Sequence, residues 1–199
     1  MKITLLRHAL TGGNSKKKYI GCRTDDALSA EGRTAAYRAA GSSVFSQNAV
    51  IFSGPLLRCR QTAEILFPGR EITLIDELTE TDFGIFEGRT YEELKNDKVY
   101  RLWVESAGKK APPGGEGADD FLKRSMKGFL RAAELSESAG EAYIVCCGGN
   151  IMAIMKGLTG LGLYDHQAGC LEGYVISFER HGAAISDVSY ERIGYRDRT

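Results

Sequence analysis

The stretch Ile3–Asn14 reads Ile-Thr-Leu-Leu-Arg-His-Ala-Leu-Thr-Gly-Gly-Asn and decides the predicted fold. Its first four residues form a short apolar run, which is typical of a buried central strand. The polar, glycine-containing segment from Thr11 to Ser15 follows and ends that strand. His8 therefore lies at the carboxyl end of a buried strand, which is where α/β proteins place their ligand sites.

Strands and helices alternate along the rest of the chain. Further short apolar runs predict strands at 50–52, 72–75 and 143–146, and a terminal hairpin of 174–178 with 184–188 around His181 and Gly182. Caps and helical periodicity predict helices from Ser29 to Ala40, Pro55 to Phe67, Thr90 toward Val104, Asp119 to Ala139, and Ile151 to Leu158. This alternation predicts an α/β protein, a three-layer α/β/α sandwich with a mainly parallel central sheet. Residues 107–117, with two prolines and four glycines, are interpreted as a surface loop that acts as a mobile flap.

The bulk composition restricts the classes of function. A chain of 199 residues suits one domain over 1–199. It carries 26 Lys and Arg against 26 Asp and Glu, so no overall positive field favours nucleic acid as a partner. Five cysteines without zinc-site spacing indicate a reduced, cytoplasmic setting, and no apolar segment predicts membrane targeting. The oligomeric state stays open.

The segment from Leu6 to Asn14 resembles the opening pattern of the histidine phosphatase (phosphoglycerate mutase-like) superfamily, Leu-Arg-His-Gly-Glu-Thr-x-Trp-Asn. Arg7, His8, Thr11 and Asn14 occupy the family positions, and three intervening positions differ. The resemblance implies that His8 is the nucleophile and that Arg7, Thr11 and Asn14 bind phosphate or substrate. Residues 180–182 repeat the Arg-His-Gly tripeptide, but they fall in the predicted hairpin turn and are interpreted as surface residues.

A second block, Ser53–Ala63, is similar to the family's Ser-Ser-Pro-Leu-x-Arg-Ala-x-Gln-Thr-Ala. It is the most specific match in the chain. The block places Arg58 in the first turn of a helix, where free backbone amides and the helix dipole favour an anion. The resemblance implies that Arg58 is a phosphate ligand, and the alternative is a solvated helix arginine.

A third block, Glu77–Gly88, is similar to the family's Leu-x-Glu-x-x-Phe-Gly-x-Trp-Glu-Gly and implies that Glu80 is the general acid. A buried carboxyl with a raised pKa can protonate a leaving alkoxide. Asp82 and Glu87 compete for that role, with a loop cap or an ion pair as their alternative. Residues 112–116 resemble the family's Pro-Pro-Gly-Gly-Glu segment at the rim of the site.

The fourth block departs from the family at its most important position. Ile144–Asn150 aligns with Val-Val-Ser-His-Gly-Gly, so that Cys147 stands where the family has its second active-site histidine and Gly148 follows it. A thiol is a weaker donor than an imidazolium, and we expect ~10²–10³ lower turnover from the exchange. Cys147 as the nucleophile is an alternative, but the longer Cys-to-Arg signature of cysteine phosphatases does not follow it.

The resemblance implies a phosphomonoester hydrolase for a small phosphorylated metabolite, closest to α-ribazole and broad-specificity phosphatases. His8 attacks phosphorus, Arg7 and Arg58 hold the phosphoryl oxygens, Glu80 protonates the leaving group, and water hydrolyses the phosphohistidine. Phosphate or sulfate is expected in the pocket, and no metal or other cofactor is expected, because arginines and amides stabilise the charge. The competing hypothesis is a catalytically silent phosphate-ester binder. His166 lies in a polar segment; it is interpreted as a solvated loop residue, and the alternative is that it reaches the site from its loop.

Overall fold

A computed structural model describes residues 1–42, 45–106, 108–182 and 184–195. The described residues form one six-stranded sheet with the order β3-β2-β4-β1-β5-β6. Its strands are β1 (Lys2–Arg7), β2 (Val50–Ser53), β3 (Ile72–Leu74), β4 (Glu141–Cys146), β5 (Glu172–His181) and β6 (Ala184–Gly194). The strands β1 to β4 pair in parallel, and β5 and β6 add an antiparallel hairpin. The predicted mainly parallel central sheet is confirmed.

Helices cover both faces of this sheet. They are α1 (Gly12–Ser15), α2 (Ala30–Ser42), α3 (Leu57–Leu66), α4 (Tyr91–Leu94), α5 (Lys98–Glu105), α6 (Ala118–Leu135) and α7 (Gly148–Thr159). Short 3-10 turns lie at Asp76–Leu78, Gly84–Phe86 and Leu163–His166. Among the described residues, none of these helices combines the length and apolar character that a membrane span requires.

The alternation of side chains along β1 explains the three layers. Leu5 packs in a core with Phe129 of α6 and Ile154 of α7, whereas Leu6 packs in a second core with Ala36 of α2 and Ala63 of α3. Successive strand residues point to opposite faces, so an apolar run in a central strand serves both cores. The predicted α/β/α sandwich is therefore confirmed.

The helix predicted from Thr90 toward Val104 is two helices. Thr90 caps α4 through the expected capping box with Glu93, but α4 ends at Leu94. A new helix, α5, then starts because the Asp97 side chain accepts hydrogen bonds from the amides of Val99 and Tyr100. A side-chain acceptor that binds amides two and three residues ahead starts a helix at that position instead of continuing the previous one.

Other element boundaries also differ from the sequence-based expectation. Helix α7 begins at Gly148 rather than Ile151, with Cys147 in the N-cap position. Helix α6 ends at Leu135 rather than near Ala139, and strand β6 runs beyond Val188 to Gly194. The early start of α7 matters for function, because it brings the first backbone amides of the helix to the end of β4.

The surface loop predicted at 107–117 is a loop over its described part, 108–117, and Ala107 lies outside the described residues. Its backbone is bonded to the segment that follows Glu80: the Glu116 amide donates to Asp82 O at 2.9 Å, and the Ile85 amide donates to Pro113 O at 3.1 Å. The loop therefore forms one wall beside the end of the sheet. Its action as a flap stays a prediction.

Candidate active site

His8 follows β1 and lies beside the end of β4, because these two strands are parallel neighbours and the His8 amide donates to Cys146 O at 3.0 Å. The ring is 2% exposed, and its Nδ1 lies 2.7 Å from the carbonyl oxygen of Ala9. Because a carbonyl oxygen only accepts, Nδ1 donates this hydrogen bond, and in the neutral ring the lone pair lies on Nε2. The Ala9 backbone is itself fixed by a 3.0 Å hydrogen bond from its amide to Thr62 of α3.

A cavity of about 460 Å³ opens at this edge of the sheet. Its inner end is formed by groups from three separate sequence blocks: Arg7, His8, Glu80, Gly148 and Gly149. The parallel strands β1 and β4 end side by side, and this arrangement brings the first and fourth blocks together. The candidate site thus lies at the carboxyl ends of the strands, as the sequence predicted.

Glu80 is buried beside the N-terminus of α7. Its Oε1 accepts a hydrogen bond from its neighbour Thr81 N at 2.9 Å, and its Oε2 accepts one from Gly149 N at 3.1 Å. Burial has the largest effect on the pKa of this carboxyl and raises it, and negative charge on Cys147 raises it further. The hydrogen bonds from the two amides and the positive charge of Arg58 lower the pKa, but by less. The result is a pKa of about 7 for Glu80. A carboxyl with this pKa can give and take a proton near neutral pH.

Glycine is required where Glu80 meets α7. A Cβ atom on Gly149 would overlap the Glu80 carboxyl group, and a Cβ on Gly148 would lie 3.2 Å from Nε of Arg7. The two glycines that the sequence pattern placed after Cys147 therefore let an acid and a guanidinium approach the helix terminus closely.

Two nitrogens of the Arg7 guanidinium differ in their contacts. Its Nη1 donates to Ala168 O at 2.7 Å, which holds the guanidinium in place. Its Nε atom is buried and has no hydrogen-bond partner. Because Arg7 lines the cavity, this unused donor is a candidate contact for an anion, since buried polar groups are rarely left unpaired.

Arg58 lies deeper than the resemblance implied. It is 1% exposed and donates from Nη1 to Thr24 O at 2.9 Å and from Nη2 to Gly21 O at 3.1 Å and Ile20 O at 3.5 Å. Of the described residues, those that line the cavity do not include Arg58. Its positive charge nevertheless acts on Cys147 and Glu80, which it biases toward their ionised forms.

Cys147 is fully buried at the N-cap of α7, between His8 and Cys59. Its Sγ lies 3.6 Å from Sγ of Cys59. Burial opposes ionisation, but a hydrogen bond from the Cys59 thiol, a hydrogen bond from His8 in its protonated form, and the positive charges of His8 and Arg58 outweigh it. Together they lower the pKa of Cys147 well below that of an ordinary thiol. The residue in the place of the family's second histidine is thus a buried thiol that favours its thiolate form.

Thr11 and Asn14 form a capping box at α1: the Thr11 hydroxyl accepts from Asn14 N at 3.2 Å, and Asn14 Oδ1 accepts from Thr11 N at 3.3 Å. Thr11 is completely buried, whereas Asn14 lines the cavity. Asn14 therefore lies at the site, whereas the Thr11 side chain stabilises the loop after His8 by capping α1.

The competing carboxylates have structural partners. Asp82 pairs with Arg23 at 2.8 Å and caps the Gly84 amide, and Glu87 accepts from Gly21 N at 2.8 Å. Both act as the loop caps or ion pairs that the sequence analysis gave as the alternative. His181 is exposed at the end of β5, as expected for a surface residue.

The interpretation of His166 as a solvated residue is wrong. His166 is 3% exposed and stacks edge-on against Tyr174 and Tyr190, with ring centroids 5.4 and 5.2 Å away. The two tyrosines come from β5 and β6. The burial of His166 therefore depends on this hairpin and cannot be predicted from the sequence of residues 163–168.

Sequence reasoning missed the outer wall of the cavity. Six aromatic side chains line it: Tyr19, Phe83, Tyr100, Trp103, Phe121 and Tyr164. Tyr100 and Trp103 lie one helical turn apart on α5, a spacing that could have indicated a common face. Within the described part of the chain, no group of three or more His, Cys, Asp or Glu side chains is arranged to hold a metal ion.

The sandwich topology, with its candidate site at the carboxyl ends of β1 and β4, defines a phosphoglycerate mutase-like protein. More specifically, the chain belongs to the histidine phosphatase superfamily, branch 1, whose family model matches residues 3–189. The family resemblance of the sequence blocks is thereby confirmed.

Three similar proteins illustrate the range of this family. A bifunctional protein of Mycobacterium tuberculosis is 33% identical over 132 residues, which are 64% of this chain but only 36% of that protein's length. A phosphoglycerate mutase of Thermus thermophilus has a TM-score of 0.69 at 31% identity and covers 88% of this chain and 91% of its own. A phosphoserine phosphatase variant of Entamoeba histolytica, solved with phosphoserine, has a TM-score of 0.76 at 25% identity and covers 94% and 95%.

Proposed function

We propose that this protein is a phosphomonoester hydrolase that acts on a small phosphorylated metabolite through a phosphohistidine at His8. One observation carries the proposal: Nδ1 of His8, which lines the cavity, donates to Ala9 O at 2.7 Å, so that Nε2 is the nitrogen with the lone pair in the neutral ring. Membership of the histidine phosphatase superfamily supports it.

In the first half of the reaction, Nε2 of His8 attacks phosphorus and the bond from phosphorus to the leaving oxygen breaks. Glu80 gives its proton to that oxygen, which would otherwise leave as an alkoxide. The pKa of about 7 means that a substantial share of Glu80 is protonated at neutral pH. Nδ1 keeps its hydrogen and its bond to Ala9, so the ring stays oriented during the transfer.

In the second half, a water molecule attacks the phosphohistidine and the bond from phosphorus to Nε2 breaks. The Glu80 carboxylate takes the proton of that water and returns to its acid form. Inorganic phosphate leaves through the cavity. The same side chain acts first as an acid and then as a base, which a pKa near the working pH allows.

Arg7 and the first amides of α7 supply the charge that the phosphoryl oxygens need. The unused Nε donor of Arg7 suits one oxygen, and Gly148 N, at the start of α7, suits another. Arg58 contributes its positive charge to the site although it does not line the cavity. A direct phosphate contact by Arg58 needs an N–H donor other than those bonded to the carbonyl oxygens of the 20–24 segment.

The aromatic outer wall favours a leaving group with a flat or apolar body. Tyr19, Phe83 and Trp103 form an edge-to-face cluster with centroid distances of 5.2 to 6.1 Å, and all three line the cavity. Such a wall contacts rings and carbon chains better than it contacts a second anionic group. Lys18 is exposed at the same cavity and offers one cation to a polar end of the substrate.

A second candidate function is that of a phosphate-ester binder without catalysis. The thiolate tendency of Cys147 favours it, because a negative sulfur beside His8 repels the phosphoryl oxygens. This reading keeps the roles of Arg7 and Asn14 in binding, and it predicts no turnover with any ester.

The test is a screen of phosphorylated metabolites, including esters with aromatic and with small leaving groups, followed by rapid quench with labelled substrate. We expect phosphate release and an acid-labile, base-stable label on His8. The His8→Ala variant should lose both. His181→Ala is the matched control, because His181 belongs to the same tripeptide but is exposed on β5, and it should behave like the wild type.

Label on Cys147, or unchanged turnover in His8→Ala, would contradict the mechanism. Binding of the esters without turnover would favour the silent binder. The leaving-group preference is tested separately by Trp103→Ala, which should lower kcat/KM for an aromatic ester more than for a small ester.

A further inference from the structure

Two departures from the family pattern meet in space. Cys59 stands where the second block of the family has alanine, and Cys147 stands where the fourth block has histidine. They are 88 residues apart in sequence, and their Sγ atoms are 3.6 Å apart. Both substitutions are needed for this contact. With alanine at position 59 or histidine at position 147, only one of the two thiols would be present.

We propose that Cys59 and Cys147 are a redox-active dithiol, which a peroxide oxidises to a reversible disulfide in the wall of the active site. The oxidant is hydrogen peroxide or a small organic hydroperoxide. The proposal concerns a modification of this chain and does not depend on phosphatase activity.

The chemistry proceeds in two balanced steps. The Cys147 thiolate attacks a peroxide oxygen, the O–O bond breaks, and the products are a sulfenic acid and a hydroxide that takes one proton to become water. The Cys59 sulfur then attacks the Cys147 sulfur, the S–O bond breaks, and the departing hydroxide takes the Cys59 proton as a second water. Two thiols are oxidised; hydrogen peroxide is reduced to two waters, and an organic hydroperoxide would be reduced to an alcohol and one water.

The surroundings assign different roles to the two sulfurs. Cys147 lies beside His8 and Arg58, whose hydrogen bond and positive charge favour its thiolate. Cys59 is fully buried in α3, and burial raises the pKa of its thiol well above the ordinary value. Cys147 is therefore the attacking thiolate and Cys59 the protonated thiol that resolves the sulfenic acid.

The geometry permits the bond with small movements. The sulfurs must approach by about 1.5 Å to reach disulfide length, which rotation of two short side chains can supply. Both residues are fully buried, and the access route is the cavity, because His8 and Gly148, the neighbours of Cys147, line it. We expect a peroxide of water-like size to reach Cys147 by this route.

The neighbouring cysteine, Cys146, does not compete for this partner. Cys146 is next to Cys147 in sequence, but it packs in the core on the opposite face of the sheet, with Leu5 and Ile154. Cys147 and Cys59 share the other core. Cys146→Ala is therefore a matched control that removes a neighbouring buried thiol and leaves the pair intact.

The experiment treats the full chain with hydrogen peroxide and follows thiol content after denaturation, intact mass and peptide mapping. We expect the thiol count to fall by two, the mass to fall by two hydrogen atoms, and a peptide to join Cys59 to Cys147. Dithiothreitol should reverse all three changes. Cys146→Ala should give the same result as the wild type.

Two variants test the roles of the sulfurs. In Cys59→Ala the sulfenic acid has no resolving partner, so Cys147 should react with a dimedone-type probe or go on to sulfinic acid, which dithiothreitol does not reverse. In Cys147→Ser, Cys59 should stay reduced. The wild-type measurement stands even if a variant fails to fold. A disulfide between other cysteines, or sulfinic acid on Cys147 without a cross-link in the wild type, would overturn the proposal.

Discussion

Oε2 of Glu80 accepts a hydrogen bond of 3.1 Å from the backbone amide of Gly149, and this bond joins the third sequence block to the N-terminus of α7. The same helix terminus follows Cys147, whose negative charge adds to the larger effect of burial in raising the pKa of Glu80. The acid of the proposed reaction is thus positioned by the helix and tuned by the residue that replaces the family's second histidine.

Replacement of Glu80 by glutamine removes the proton donor of the proposed reaction. We expect kcat to fall by about 10²–10⁴ for substrates with poor leaving groups. Wild-type kcat should decline as pH rises through about 7, since the leaving group needs the protonated carboxyl, and Glu80→Gln should lack this decline. Steady-state rates from pH 5 to 9 provide the measurement. Glu64→Gln, at an exposed position on α3, serves as the control. If Glu80→Gln kept the decline of kcat at alkaline pH, that decline would come from another group.

The same carboxyl makes stability depend on pH. Its folded-state pKa of about 7 lies above the ordinary 4.5, so its contribution to folding is complete below pH 4.5 and is lost as pH rises through 7. Relative to Glu80→Gln, the wild type should therefore lose free energy of unfolding by up to about 3 kcal/mol over this range. Urea unfolding of both proteins at pH 5 and pH 8 measures the difference. Equal losses in the two proteins would mean that Glu80 titrates normally.

A methyl group on Gly149 should displace the acid without removing it. The added Cβ of Gly149→Ala overlaps the Glu80 carboxyl group, so we expect kcat to drop by about tenfold or more, because misplacement by about an ångström is costly. Gly41→Ala on α2 is the control, since a Cβ there meets nothing within 4 Å. Kinetics and thermal melting should show a loss of rate that exceeds any loss of stability. Wild-type rates in Gly149→Ala would show that the position of Glu80 is not critical.

Alanine substitutions of Arg7 and Arg58 should have different effects, one on phosphate binding and the other on stability. Arg7→Ala removes the unused Nε donor and should weaken binding of inorganic phosphate by about tenfold or more, with little change in Tm. Arg58→Ala leaves three backbone carbonyls without their donor and should lower the free energy of unfolding by about 2 kcal/mol or more. Calorimetry and melting of both variants, with exposed Arg33→Ala as control, test this. A stable Arg58→Ala that cannot bind phosphate would restore Arg58 as the principal ligand.

Restoring the second histidine should require two changes. Cys147→His alone brings an imidazole against Cys59, and overpacking a filled core costs about 1–3 kcal/mol. The double variant Cys59→Ala, Cys147→His has the family's residues at both positions, and we expect its turnover to exceed the wild type by about tenfold or more. The double variant should also melt at a higher temperature than Cys147→His. Turnover no higher than wild type in both variants would indicate that the pocket has adapted to sulfur.

The sequence by itself determined the alternation of strands and helices, the layer architecture and the position of His8 at a strand end. These features depend on apolar periodicity, caps and glycine, which act over a few residues and can be seen in a linear stretch. The family blocks also indicated Glu80, and its proximity to Gly149 is consistent with that assignment.

Only the tertiary structure decided which groups touch. The carbonyl oxygens that hold Arg58, the hairpin tyrosines that bury His166, and the contact of Cys59 with Cys147 all join distant parts of the chain. Each depends on how a helix or hairpin packs against the sheet. Because packing fixes positions in three dimensions while motifs fix only spacing along the chain, the thiol pair could not be read from two blocks that are 88 residues apart.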